Sequence, residues 1–261
     1  FLPRIVAMFD EDITLALQKL LQKQGLKFHL GTRVESVEKN IGGVRLTASK
    51  GDKKLELEAE KVLVAVGRNP NTEGLGIAEA GVELDERGCI KTNTERQTNV
   101  PGIYAIGDVV AGPMLAHKAE QEAIAAVERM AGQSGSVNYD TIPSVVYTAP
   151  EVAAVGLIEA EAKEKGHEIA IGVFPFQANG RAVACGHADG LAKVIADKAS
   201  GRVLGAQILS TNASELIAEA VLLMEFGGSA EDLARTIHAH PTMSEGLREA
   251  AHIAVGEPLH I

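Results

Sequence analysis

Residues 62–72 read VLVAVGRNPNT: five apolar residues in a row, then Gly67, Arg68 and an Asn-Pro-Asn turn. A short apolar run closed by turn formers suits a β-strand covered on both faces, the kind found in parallel sheets flanked by helices. The pattern predicts such a strand over 62–66. Glycine at its end lets another backbone or a ligand approach closely, and in open α/β sheets ligands lie beyond the carboxyl ends of strands. A structural turn explains Gly67 equally well, because glycine often ends strands for steric reasons.

Upstream, Asp10 or Asp12 can cap a helix whose apolar residues Ile13, Leu17, Leu20 and Leu21 follow helical spacing, and Gly25 stops it. KFHL (27–30), TRVESVEK (32–39), GVRLTAS (43–49) and KLELEAEKVLVAVG (54–67) then read as strands. Downstream, a turn-rich stretch from Arg68 to about Thr98 leads to a short apolar strand, GIYAI (102–106), and a helix is expected over 115–131. The polar segment GQSGSVNYDTIP (132–143) marks a domain boundary near residue 139. Beyond it, VAAVGL, IAIGVFPF, LAKVIAD and RVLGAQIL are short strands joined by turns, which favours an antiparallel sheet. EAEAKEK, SELIAEAVLLMEFG, AEDLARTI and SEGLREAAHIAV are the helices that cover it, an α+β arrangement.

Composition narrows the function classes. A net charge of −10 and a pI near 5.3 argue against nucleic acid or an anionic membrane as partner. Aromatic residues make up 3% and tryptophan is absent, so no base-stacking platform is expected. No apolar run is long enough to span a bilayer. Cys89 and Cys185 form neither a CxxC pair nor a metal-ligand spacing, and their use fits a reducing cytoplasm. The chain opens without Met in the middle of an apolar pattern, and so reads as a portion of a longer one.

Three further stretches carry chemistry. In TNVPGIYAIGD (98–108) the strand delivers Asp108, whose carboxylate can accept hydrogen bonds from ligand hydroxyls; an Asp after Gly is also a routine turn. In PMLAHKAEQE (113–122) a helix begins, and the amides of Met114, Leu115 and Ala116, with His117 beside them, offer a positive dipole end to an electron-rich ligand edge. In HAHPTMSE (238–245) Pro241 pushes His240 out of the helical region, and Glu245 lies within reach of its ring. A carboxylate aligned on imidazole makes a general base. A helix-capping histidine followed by a capping-box Glu is the plainer reading of the same string.

AVGRNPNT, TNVPGIYAIGD, MLAHKAE, PSVVYTAPEVAAVG and HAHPTMSE occur together in an order that resembles the pyridine nucleotide-disulphide oxidoreductases, over essentially the whole chain. The pairing of MLAHKAE with HAHPTMSE is similar to the dihydrolipoamide-oxidising branch, with a glutathione reductase-like branch left open. The resemblance implies an α/β fold with partial Rossmann-like regions and an α+β C-terminal dimerisation domain with an antiparallel sheet. Residues 1–69 would be the second part of the NAD-binding domain, 70–139 the returning part of the FAD-binding region, and 140–261 the dimerisation domain. It further implies that Asp108, Met114, Leu115, Ala116 and His117 face FAD, that Val34 and Gly67 lie beside NAD, and that His240 with Glu245 is the catalytic base. Implied partners are a second copy of the chain and the lipoyl domains of 2-oxoacid dehydrogenase or glycine cleavage complexes. The close-spaced cysteine pair and the glycine-rich phosphate turns of such enzymes are absent from these 261 residues, so the polypeptide alone is expected to be a catalytically silent dimerising piece, with cofactor binding in doubt.

Overall fold

The computed structural model describes residues 1–261. They form two compact units, one of Phe1–Val62 with Asp140–Ile261 and one of Leu63–Tyr139.

The first unit is built on an antiparallel sheet. Its strands are β4 (Ser144–Val146), β5 (Glu151–Gly156), β6 (Ile169–Pro175), β7 (Leu191–Asp197) and β8 (Val203–Ser210), in the order β4-β5-β8-β7-β6. Alternation along each strand sends successive side chains to opposite faces. Ala153, Val155, Val194, Ala206 and Ile208 point to one face, into a core with Ile217, Leu233, Leu247 and Ala250. Those last four belong to helices α5 (Ala213–Glu225), α6 (Ala230–Arg235) and α7 (Glu245–Ala254). Helix α7 lies directly on β6: a Cβ at Gly172 would sit 1.8 Å from the Ala250 carbonyl oxygen, so only glycine permits this approach. The short helices α3 (Glu159–Glu164) and α4 (Gly180–Ala184) complete the connections.

The opposite face holds Val152 and Leu209, which are register partners, packed with Phe9, Ile13, Leu17 and Leu21. The last three are the apolar stripe of α1 (Glu11–Lys23). Lys193, on the same face, is 1% exposed and meets Asp10 at 3.0 Å, Asp12 at 2.9 Å and Glu159 at 2.6 Å. Gln207 joins them, its Nε2 donating to Asp10 Oδ2 at 2.6 Å and its Oε1 accepting from the Asp10 amide at 2.9 Å. Burial disfavours the Lys193 ammonium, but these carboxylates more than compensate and hold its pKa above the usual lysine value. Between α1 and β4, strands β1 (Arg33–Asn40), β2 (Gly43–Lys50) and β3 (Lys53–Ala59) form a separate antiparallel meander.

The second unit carries one regular helix, α2 (Ala116–Met130), matching the expected one to within a residue at each end. Around it are a 3-10 turn at Gly107–Val109 and a small core of Val82, Ile90, Ala105 and Val110.

The mixed α/β class with antiparallel sheet holds, and three expected strands do not. Residues 62–66 are irregular, and Leu63, Val64 and Val66 are exposed. A strand covered on both faces needs neighbours to take its amides and helices to take its side chains, and no strand of this chain pairs with it. GIYAI contributes a single bridge, Gln97 to Tyr104, and KFHL forms no strand.

Candidate active site

The geometry is most complete around HAHPTMSE. Nδ1 of His240 lies 2.9 Å from Glu245 Oε1. A carboxylate only accepts, so Nδ1 carries the hydrogen and Nε2 is turned away from Glu245. The second carboxylate oxygen accepts the Thr242 amide at 2.8 Å. One Glu245 oxygen thus accepts from the backbone just ahead of α7 and the other from the imidazole. Burial works against its charge, but the Thr242 amide and the His240 ring outweigh that, so the carboxyl titrates below the ordinary glutamate range. The His240 side chain is 79% exposed, and the His240–Pro241 peptide bond is cis.

His238 is placed quite differently. Its side chain is 4% exposed, Nδ1 faces the Thr236 carbonyl at 2.9 Å and Nε2 lies 2.7 Å from Glu219 Oε1 on α5. The Nε2–Glu219 contact is an ion pair when the ring is protonated. Glu219 first, with the Thr236 carbonyl adding to it against the opposing effect of burial, raises its pKa above that of an ordinary histidine.

In the second unit, Asp108 stands half-exposed on the Gly107–Val109 turn, its Oδ2 2.6 Å from Arg68 Nη2. Arg68 also reaches the Met114 carbonyl at 3.4 Å, so one side chain of the GRNPNT string joins two of the expected flavin-facing positions. Met114 borders a cleft of about 740 Å³ shared with Arg68, Arg87, Cys89 and Gly112. Leu115 caps α2, and its amide donates to the Pro113 carbonyl at 3.1 Å rather than standing open as the sequence suggested. Ala116 and His117 lie exposed in the first turn of α2. Gly67 has φ +133°, and a Cβ there would meet no atom within 4 Å. Val34 lies exposed on β1, in the first unit. The half-exposed Asp108 carboxylate suits ligand hydroxyls, and the exposed start of α2 suits an electron-rich cofactor edge. Val34 and Gly67 offer only bare surface.

Several residues that shape the site escaped sequence reading. Glu122, fully buried, accepts the Gly107 amide at 2.7 Å and the Tyr139 hydroxyl at 2.8 Å, and pairs with Lys118 at 3.4 Å and Arg96 at 3.4 Å. Lys118 donates to the Gly107 carbonyl at 3.0 Å, so the turn that presents Asp108 is held at both its backbone groups. The i,i+4 spacing of Lys118 and Glu122 was a visible signal. Asn179 and Thr242 gave none. Both cysteines are free, Cys89 buried and Cys185 exposed.

Comparison with known proteins places this architecture. Residues 1–123 match the model of the pyridine nucleotide-disulphide oxidoreductases, and residues 142–251 match the dimerisation domain of the same family. The chain is 49% identical over 263 residues to the mitochondrial dihydrolipoyl dehydrogenase of Pisum sativum, covering 100% of this chain and 52% of that protein. It is also 49% identical to the dihydrolipoyl dehydrogenase of Cupriavidus necator, over 96% of this chain and 53% of the relative. Among solved structures, the HOCl-induced flavoprotein disulfide reductase RclA from Escherichia coli, in a Cu(II) complex, superposes with a TM-score of 0.88 at 26% identity, over 96% of this chain and 56% of that one. The chain spans about half the length of the curated relatives it matches. With two models of one family matching 1–123 and 142–251, and dihydrolipoyl dehydrogenases matching end to end, this chain belongs to the pyridine nucleotide-disulphide oxidoreductase family.

Proposed function

We propose that this chain is the part of a dihydrolipoyl dehydrogenase that supplies its proton-accepting dyad, His240 and Glu245, and its dimerising sheet. One observation carries the reading: an imidazole aligned by a carboxylate at 2.9 Å yet 79% exposed. A histidine that served only to cap a helix would have no use for that alignment. The dehydrogenase relatives favour this branch over a glutathione reductase-like one.

In the reaction, one thiol of a protein-bound dihydrolipoyl group gives its proton to Nε2 of His240. The resulting thiolate attacks a sulfur of the enzyme's disulfide, forming a mixed disulfide and releasing the other sulfur as thiolate. The second dihydrolipoyl thiol then gives its proton to that released thiolate and attacks the lipoyl sulfur of the mixed disulfide, closing the lipoyl ring and breaking the bond to the enzyme, whose pair is left as one thiol and one thiolate. Glu245 keeps the proton on Nδ1 and stabilises the imidazolium once Nε2 is loaded. Bound FAD and NAD⁺ supply the electron acceptance that reoxidises that pair. Asp108, Met114, Leu115, Ala116 and His117 would hold the flavin. The dyad would serve the active site of a second copy, which the dimerisation-domain match supports. Residues 1–69, 70–139 and 140–261 would then be the second part of the NAD domain, the returning FAD region and the dimerisation domain. Lipoyl domains of 2-oxoacid dehydrogenase or glycine cleavage complexes are the fitting partners. The two free cysteines support a reducing compartment such as the cytoplasm, and the pea relative is mitochondrial by name.

The test is dihydrolipoamide–NAD⁺ turnover by the whole protein carrying this chain. Activity that depends on His240 is expected; an enzyme that reduces glutathione disulfide and ignores dihydrolipoamide would overturn the reading.

A further inference from the structure

We infer that Asn179, remote in sequence from the dyad, is the positioning residue that sets the His240–Glu245 geometry; the inference rests on the dyad reading above.

Asn179 is buried at the start of α4, where its Oδ1 accepts the Ala182 amide at 2.9 Å. Its Nδ2 donates to the Thr242 carbonyl at 3.0 Å, across a sequence separation of 63 residues. The Thr242 amide in turn donates to Glu245 Oε2, and the Thr242 hydroxyl donates to the Ala239 carbonyl at 2.7 Å. Asn179 therefore grips the one residue that fixes both the far oxygen of Glu245 and the backbone just before His240. The other end of the same segment is held by His238 on Glu219. Nearby, Phe176 is buried beneath α7, where a Cβ at Gly246 would come within 2.6 Å of its ring. The turn 176–179 thus supports both the first turn of α7 and the loop before it. An asparagine suits the position because one planar group carries an acceptor for Ala182 and a donor for Thr242. Aspartate has the acceptor alone, and serine is a good helix cap but too short to reach Thr242. The exposed ring of His240 has no packing of its own to hold it, so its alignment depends on this chain of bonds.

The experiment uses Asn179→Asp, which keeps the α4 cap and removes the tether, in the 261-residue chain. Ring-nitrogen NMR of His240 reads the tautomer directly. The parent should show Nδ1 protonated and Nε2 bare, and N179D should move toward the tautomer mixture seen in Glu245→Gln. In the whole holoenzyme, kcat and kcat/KM should fall together by roughly 10- to 100-fold, as misplacement of a reacting group does. If N179D fails to fold, Asn179→Ser makes the same separation of cap from tether and is read in the same way. A His240 ring spectrum unchanged from the parent in the folded variant overturns the inference. A mixed tautomer with undiminished turnover upholds the positioning role of Asn179 and overturns instead the assignment of His240 as the base.

Discussion

His238 Nε2 lies 2.7 Å from Glu219 Oε1 with the histidine side chain almost wholly buried, whereas His240, two residues on, points its ring into solvent. Two histidines of one short string therefore have different surroundings: His238 faces Glu219 on α5, and His240 is left exposed. His240→Gln in the whole enzyme should lower kcat by roughly 10²–10⁴, the usual contribution of a positioned base, and leave the melting temperature nearly unchanged. His238→Gln should do the reverse, with most turnover retained and stability lower by about 1–2 kcal/mol. Steady-state rates and denaturant melts on both variants decide it; a silent H240Q would sink the assignment.

The His238 contribution should depend on pH. Its folded-state pKa is raised by Glu219, so its stabilisation is complete below the unfolded-state pKa of about 6.5 and fades as pH rises through the folded value. The stability difference between parent and H238Q should be larger near pH 6 than near pH 9, both roughly chosen to bracket that range. A difference that grows toward alkaline pH would contradict the geometry.

Lys193 lies between three carboxylates on the α1 face of the sheet. Lys193→Met leaves Asp10, Asp12 and Glu159 facing one another without a cation. The expected cost is about 3–5 kcal/mol, the usual penalty for stranding one side of a buried pair. Hydrogen exchange in α1 should accelerate before that in α7, because α1 is held by this network and α7 is not. Acid acts on the same contact. Although burial opposes its ionisation, the Lys193 and Lys163 ammonium groups hold Glu159 below the usual carboxylate range, so its stabilisation is present above an unfolded pKa near 4.3 and lost as pH falls through the folded value.

Gly246 should tolerate no side chain. Alanine there places a Cβ 2.6 Å from Phe176 Cε1, and overpacking of this kind costs roughly 1–3 kcal/mol. Because Gly246 follows Glu245, G246A should also loosen the dyad. Pairing it with Phe176→Leu, which makes room, should recover part of both losses in thermal melts and in the His240 ring spectrum; losses that simply add would refute the coupling.

Association follows from the apolar surface near α5. Leu222, Phe226 and Ile237 are exposed, although the region matches a dimerisation domain. Light scattering should find a dimer at micromolar concentration. Leu222→Asp with Phe226→Asp should give a folded monomer, since a charge buried in an apolar interface has no partner. A parent that scatters as a monomer would count against this face.

What the sequence by itself determined is the local grammar. The helical stripe of Ile13, Leu17 and Leu21, the start of α2 beside Leu115, the alternating strands β5 to β8 and the pairing of His240 with Glu245 all follow from short-range spacing, and each stands where the spacing placed it. Tertiary structure decided the rest, because the deciding partners are far apart in the chain. Residues 62–66 have the composition of a buried strand, yet a strand exists only if neighbours take its amides, and none here does. Lys193, 181 residues from Asp12, is a buried tie in the fold, and no local pattern announces that contact. Asn179 carried no signal in the sequence and in the fold grips Thr242. Periodicity reports which face of an element is apolar; it carries no information on which distant carbonyl or carboxylate a polar side chain will meet once those faces have packed.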